Sequence, residues 1–205
     1  MHAFNGLRGL RAVLAALVAC VFLSGCLSTR FYVDPTLPVI GSADLEAPAN
    51  PQSANVLFEF RTKGNANARA TNETRQFALE AVRGSGLFSD VIDGATQPAD
   101  GQLKIVIDNI PVTENAAAKG VGTGLTLGLA GSMVTDGYVC TASYTAGGVT
   151  TETTVEHALH TTIGNKGGPE GLVAVPMPQA VETLVSQMVL NALKRLGDDG
   201  AFGGG

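Results

Sequence analysis

At 205 residues the chain has room for one domain with a proper core, and its 18 acidic against 13 basic side chains give a net charge of −5. With no basic run beyond Lys194-Arg195, that balance argues against a nucleic-acid partner and against a basic surface for anionic lipid. Three cysteines and no tryptophan leave stability to the burial of aliphatic side chains.

The chain opens on a leader. Arg8 and Arg11 precede the apolar run "AVLAALVACVFL" (Ala12 to Leu23), too short to span a bilayer as a helix, which needs about 20 residues, but of the length of a signal-peptide core. "LSGC" (Leu23, Ser24, Gly25, Cys26) follows and resembles the lipobox of bacterial lipoproteins. The resemblance implies cleavage before Cys26, which takes palmitate-class acyl chains and becomes the first mature residue. Leu27, where an aspartate would retain a lipoprotein in the inner membrane, then implies the outer membrane, facing the periplasm. Residues 1–25 are thus expected to be signal peptide. With Cys20 removed and Cys26 acylated, Cys140 has no partner within the chain.

Residues 26–55 read as a lipidated, proline-rich tether, with Pro35, Pro38, Pro48 and Pro51; "STRFYVDP" within it resembles the opening of small periplasmic lipoproteins, which leaves two readings of that stretch, floating or docked. A globular domain is expected over 56–197. Val56 to Thr62 alternates as a strand. Ala68 to Arg83 reads as an amphipathic helix with Asn67 as N-cap, Gly84 as stop, an inner stripe of Ala70, Thr74, Phe77, Ala78 and Ala81, and Leu79 off it. "LFSDVI" (Leu87 to Ile92) and "LKIVIDNI" (Leu103 to Ile110) are the next strands, the latter apolar enough on both faces to be central.

A glycine-rich insert, 119–135, follows, uncharged from Gly120 to Thr135. It fits no phosphate loop: Lys119 precedes the glycines, and Leu127 stands where a dinucleotide loop needs glycine. Nor is it long enough to span a membrane. Two readings remain. Leu125, Leu127, Leu129, Met133 and Val134 either form a contact loop for a partner or the membrane surface, or complete the domain's own core.

Tyr138 to Thr145 and about Thr150 to Ile163 alternate around Gly147-Gly148 as a hairpin. Pro178 to Leu196 is the strongest helix, with Val181, Leu184, Val185, Met188, Val189, Ala192, Leu193 and Leu196 inward. Gln187, Asn191, Lys194 and Arg195 are expected outward, with Gly197 closing the helix and 198–205 disordered.

The expected fold is α+β: a single, mostly antiparallel sheet with two helices packed on one face. That plan, with "GLTLGLAG" before a "DGYVCTASYT" strand, resembles the CsgG-like secretion lipoproteins and transport-auxiliary lipoproteins, whose fold is like the N-terminal domain of TolB. The anchor, the tether, the uncharged glycine-rich insert and the lack of a catalytic motif lead to the expectation of a non-enzymatic envelope protein, held to lipid through acylated Cys26 and acting on an envelope protein partner or as a homo-oligomer in assembly or transport.

The alternative is a ligand-binding or hydrolytic site around Cys140, His157 and Asp136. No cofactor motif is present. A metal is not expected either, because His157 and His160 stand an odd number apart on a strand and point to opposite faces.

Overall fold

The computed structural model describes residues 28–111 and 131–203. Its elements are β1 (Thr29–Val33), β2 (Ser53–Thr62), β3 (Asn65–Ala66), α1 (Ala68–Gly84), β4 (Asp90–Asp93), β5 (Gly101–Pro111), β6 (Ser132–Ala146), β7 (Val149–Ile163) and α2 (Met177–Asp198). The chain is an α+β fold. Its seven-stranded sheet runs β1-β7-β6-β5-β2-β3, with β4 beside β2. The β1–β7, β7–β6, β6–β5 and β2–β3 pairs are antiparallel, whereas β2 runs parallel to β5 and to β4. The parallel pair needs a crossover, and α1 supplies it.

Alternation sorts the sheet's side chains. Val56, Phe58 and Phe60 lie across from Leu103, Ile105 and Ile107, which lie across from Tyr144, Ala142 and Cys140. All are buried in one core cluster with Ala78 and Val82 of α1 and with Leu184, Val185, Met188, Val189 and Leu193 of α2. The period-2 strands and the period-3.6 helices thus meet on a single face of the sheet.

Asn67 caps α1 as its position predicts, its side-chain oxygen accepting from the Ala70 amide at 3.0 Å. The β6–β7 hairpin turns at Gly147 (φ 56°) and Gly148 (φ 80°), the left-handed pair that matches strand twist.

Five expectations are corrected. The segment 26–55 is not a free tether, because β1 pairs with β7 from Thr29↔Ile163 to Val33↔Leu159 and β2 already starts at Ser53. Tyr32 on β1 and Leu37 beyond the end of that strand are both buried, so their apolar burial outweighs the nearby prolines. Leu79 is buried rather than off the stripe, since α1 packs both on the sheet and alongside α2 and so buries a wider arc.

Asn191 is also buried, its amide donating to the carbonyls of Pro38 and Gln187 at 2.8 Å each, under a segment whose course local periodicity cannot show. The helix does not close at Gly197, and the tail to Phe202 is not disordered. Gly200 (φ 79°) sends its amide to the Gly197 carbonyl, and Ala201 sends its own to Leu196, the paired bonds of a Schellman stop. Phe202 then packs against Phe88 and Tyr144. Finally, the "LFSDVI" strand is shifted, β4 spanning Asp90–Asp93 while Leu87 is a core residue.

Candidate functional site

β6 and β7 bring Asp136, Cys140 and His157 onto the helix-covered face. Cys140 lies opposite Val155, His157 opposite Tyr138, and Asp136 opposite Leu159. Sharing a face does not make them a reactive group. Cys140 is 0% exposed, and burial pushes its thiol up to about 12. A nucleophile needs the opposite shift.

His157 is buried, with Nε2 against Gln187 Oε1 at 2.8 Å, while Nδ1 is sealed without a hydrogen-bond partner. Burial lowers its pKa, opposed in part by the Gln187 hydrogen bond and the Asp34 charge. The ring is therefore neutral near pH 7, with Nε2–H donating to the amide oxygen. Burial also raises the half-buried Asp136 carboxyl and, with that carboxylate's charge, the Tyr138 hydroxyl. Burial thus disfavours the charged form of each of these groups.

A second polar cluster has no counterpart in the sequence reading. His160 lies opposite Thr135 on one side and Tyr32 on the other. Its Nδ1 is 3.0 Å from Thr135 Oγ1, and its Nε2 is 3.0 Å from Asp34 Oδ2. The Thr36 amide donates to the other Asp34 oxygen at 2.8 Å. Burial alone would raise the Asp34 carboxyl, but the Thr36 hydroxyl and amide and the His160 ring together hold it below its ordinary value.

Hydroxyl, imidazole and carboxylate in series are the parts of a nucleophile–base–acid array. Here Thr135 and His160 stand on adjacent strands and Asp34 directly follows β1, so the series ties the end of β1 to the β6–β7 hairpin. The sequence signal was only the odd spacing of the two histidines; the partner Asp34 is far away in the chain.

Of the expected contact loop, Leu125, Leu127 and Leu129 lie outside the described residues, as does Cys26. Met133 and Val134 are not in a loop but in β6. Val134 is buried opposite Thr161, and Met133 is 37% exposed.

Among the described residues no group of three His, Cys, Asp or Glu side chains could hold a metal ion. No described helix is long and apolar enough to cross a membrane, which says nothing of strands. The surface hollows are open and shallow; one of about 470 Å³ lies at the hairpin end beside Asp100, Tyr144 and Gly147. Among the described residues, β7 pairs from Val149 to His157 with β6 alone, and Arg195 donates to the Thr154 carbonyl along that edge.

No protein family matches this chain in sequence, and no curated protein does. Among solved structures it is similar to the PelC dodecamer from Paraburkholderia phytofirmans, at 14% identity and a TM-score of 0.36, covering 82% of this chain and 96% of that one. A point variant of the same dodecamer in a second crystal form is similar at 16% identity and a TM-score of 0.33, covering 82% and 95%.

Proposed function

We propose that this chain is a lipid-anchored protein of the bacterial envelope, acting through protein contacts rather than catalysis, in assembly or transport. The observation that carries the reading is the order basic leader, apolar run, "LSGC", which ends two residues before the fold begins at Ser28 and β1. Cys26 is the acylated residue. The anchor lies in the outer membrane, and the domain faces the periplasm as a relative of the small transport-auxiliary or secretion lipoproteins.

Supporting a contact role, the reactive groups of the sheet are sealed or paired, and the β7 edge, which among the described residues pairs there with β6 alone, offers backbone to an added strand. The partner is another envelope protein or a second copy. A hydrolytic role at Cys140 draws no support from a fully buried, protonated thiol whose neighbouring histidine bonds elsewhere.

Mass measurement of the mature N-terminus tests the anchor, with acyl chains expected on residue 26 and Cys26→Ser expected to abolish them. Cross-linking in intact membranes then identifies what the domain touches. A native chain that starts at Met1, or is recovered soluble with a free thiol at residue 26, refutes the reading.

A further inference from the structure

The two ends of the sheet differ in character. At one end the β6–β7 hairpin turns, β5 begins and α2 stops, and Asp90, Asp100, Asp198 and Asp199 stand there exposed. At the other end β1 and β6 begin, β7 finishes, β5 runs out and β2 turns into β3 at Lys63. Arg30, Lys63 and Lys166 are exposed at that end, together with Ile110 (46%) and Met133 (37%). The carboxylates of Asp34 and Asp108 there accept hydrogen bonds from the protein's own amides; Glu170, further along the Lys166 loop, is exposed.

This second end is also stepped. Ser132–Thr135 pair with β7 but extend beyond the last β5 partner, Pro111↔Asp136, so the β1-β7-β6 ribbon projects roughly 13 Å past β5. The N-terminus leaves from the tip of that ribbon. Ser28 is fixed there, its carbonyl accepting from the Gly164 amide at 2.9 Å and its hydroxyl donating to the Gly164 carbonyl at 3.1 Å. Only Leu27 separates Ser28 from Cys26, and two residues reach about 7 Å at most.

We propose that this end of the sheet is a lipid-facing surface, seated on the bilayer that takes the acyl chains of Cys26. The proposal rests on the lipid-anchor reading and adds an orientation to it. An anchor held within one residue of a seven-stranded sheet cannot let the domain stand off or turn over. The occupant is phospholipid. Arg30, Lys63 and Lys166 meet headgroup phosphates, Ile110 and Met133 meet the apolar boundary beneath them, and the hairpin end points away.

The test uses the full acylated chain in phosphatidylethanolamine–phosphatidylglycerol vesicles that carry a headgroup nitroxide quencher. One fluorophore is placed by Asn165→Cys at the seated end and another by Asp199→Cys at the far end; buried Cys140 does not compete for the label. The 15 residues of β6 separate the two ends by about 45 Å, so the Asn165→Cys probe is expected to quench at least about threefold more than the Asp199→Cys probe.

Equal quenching of both probes on chains that float with the vesicles overturns the orientation while leaving the anchor intact. A disulfide between unlabelled Asn165→Cys chains under a mild two-electron thiol oxidant, with both probes unquenched on the labelled chains, puts a second copy at this end and overturns it as well. Chains that fail to float and carry a free thiol at residue 26 overturn the anchor reading, and the seat with it.

Discussion

Whether residues 28–45 belong to the fold is decided by two side chains two residues apart. Leu37 is 6% exposed and sits in the main core cluster; Val39 is 79% exposed. In a free tether, truncating either would cost nothing. In this fold, Leu37→Ala removes a buried isobutyl group, for which the usual range is about 2–5 kcal/mol. The surrounding segment is irregular and has room to settle, which places the expected cost near the low end, about 2–3 kcal/mol. Val39→Ala should stay within about 0.5 kcal/mol.

At a urea slope of about 2 kcal/mol/M, the Leu37 change lowers the midpoint by about 1–1.5 M. The melting temperature falls with it by about 5–10 °C for a chain of this size. The measurement is equilibrium urea unfolding of the Cys26→Ser chain, followed by far-UV circular dichroism because tryptophan is absent. Equal midpoints for the two variants within error would refute the docked segment and return residues 28–45 to a tether.

Four further outcomes follow from the same contacts. At Gly168 an added Cβ would collide with the Tyr32 ring, so Gly168→Ala should destabilise by about 1–3 kcal/mol and speed proteolysis near β1, while Gly167→Ala, with open space, leaves both unchanged. The Asp34 carboxyl is held below its unfolded value of about 3.9, so its contribution is present above that pH and is lost as pH falls through the folded value; Asp34→Asn should cost about 1 kcal/mol at pH 6, with the gap closing as pH falls through the folded value in pH-resolved denaturation. Cys140 should resist a thiol reagent at pH 8 in the folded chain and react fully in denaturant; rapid native labelling would contradict its burial. His157 titrates below its unfolded value of about 6.5, so the unfolded state binds the extra proton and stability should fall as pH drops below that point; the slope should vanish in His157→Gln, read by urea midpoints from pH 7.5 to 5.5.

The parts of this fold that the sequence made legible are those whose signal is local. The apolar alternation of Leu103, Ile105 and Ile107 marks the central strand without reference to anything distant, and all three are buried. Asn67 and Gly147-Gly148 state their roles in backbone chemistry that needs no partner. The errors share one cause. Tyr32 looks like a tether residue until β7 lies beside it, Asn191 looks like surface until the Pro38 carbonyl crosses it, and Phe202 looks like a tail until Phe88 and Tyr144 receive it. Each is a pairing between distant residues, and a periodicity read in a short window carries no term for those.

The same division governs the candidate sites. The odd spacing of His157 and His160 correctly sends the two rings to opposite faces, which removes a shared metal site, because a strand's geometry fixes that much by itself. What each ring then does depends on chains that only the fold brings near: α2 and its Gln187 for one, β1 and its Asp34 for the other. The first bond holds a neutral imidazole in the core. The second locks to the sheet the segment that leads to Cys26. By holding Asp34, the His160 ring fastens the end of β1 against β7, a link between residues far apart in the chain that no short stretch of sequence displays.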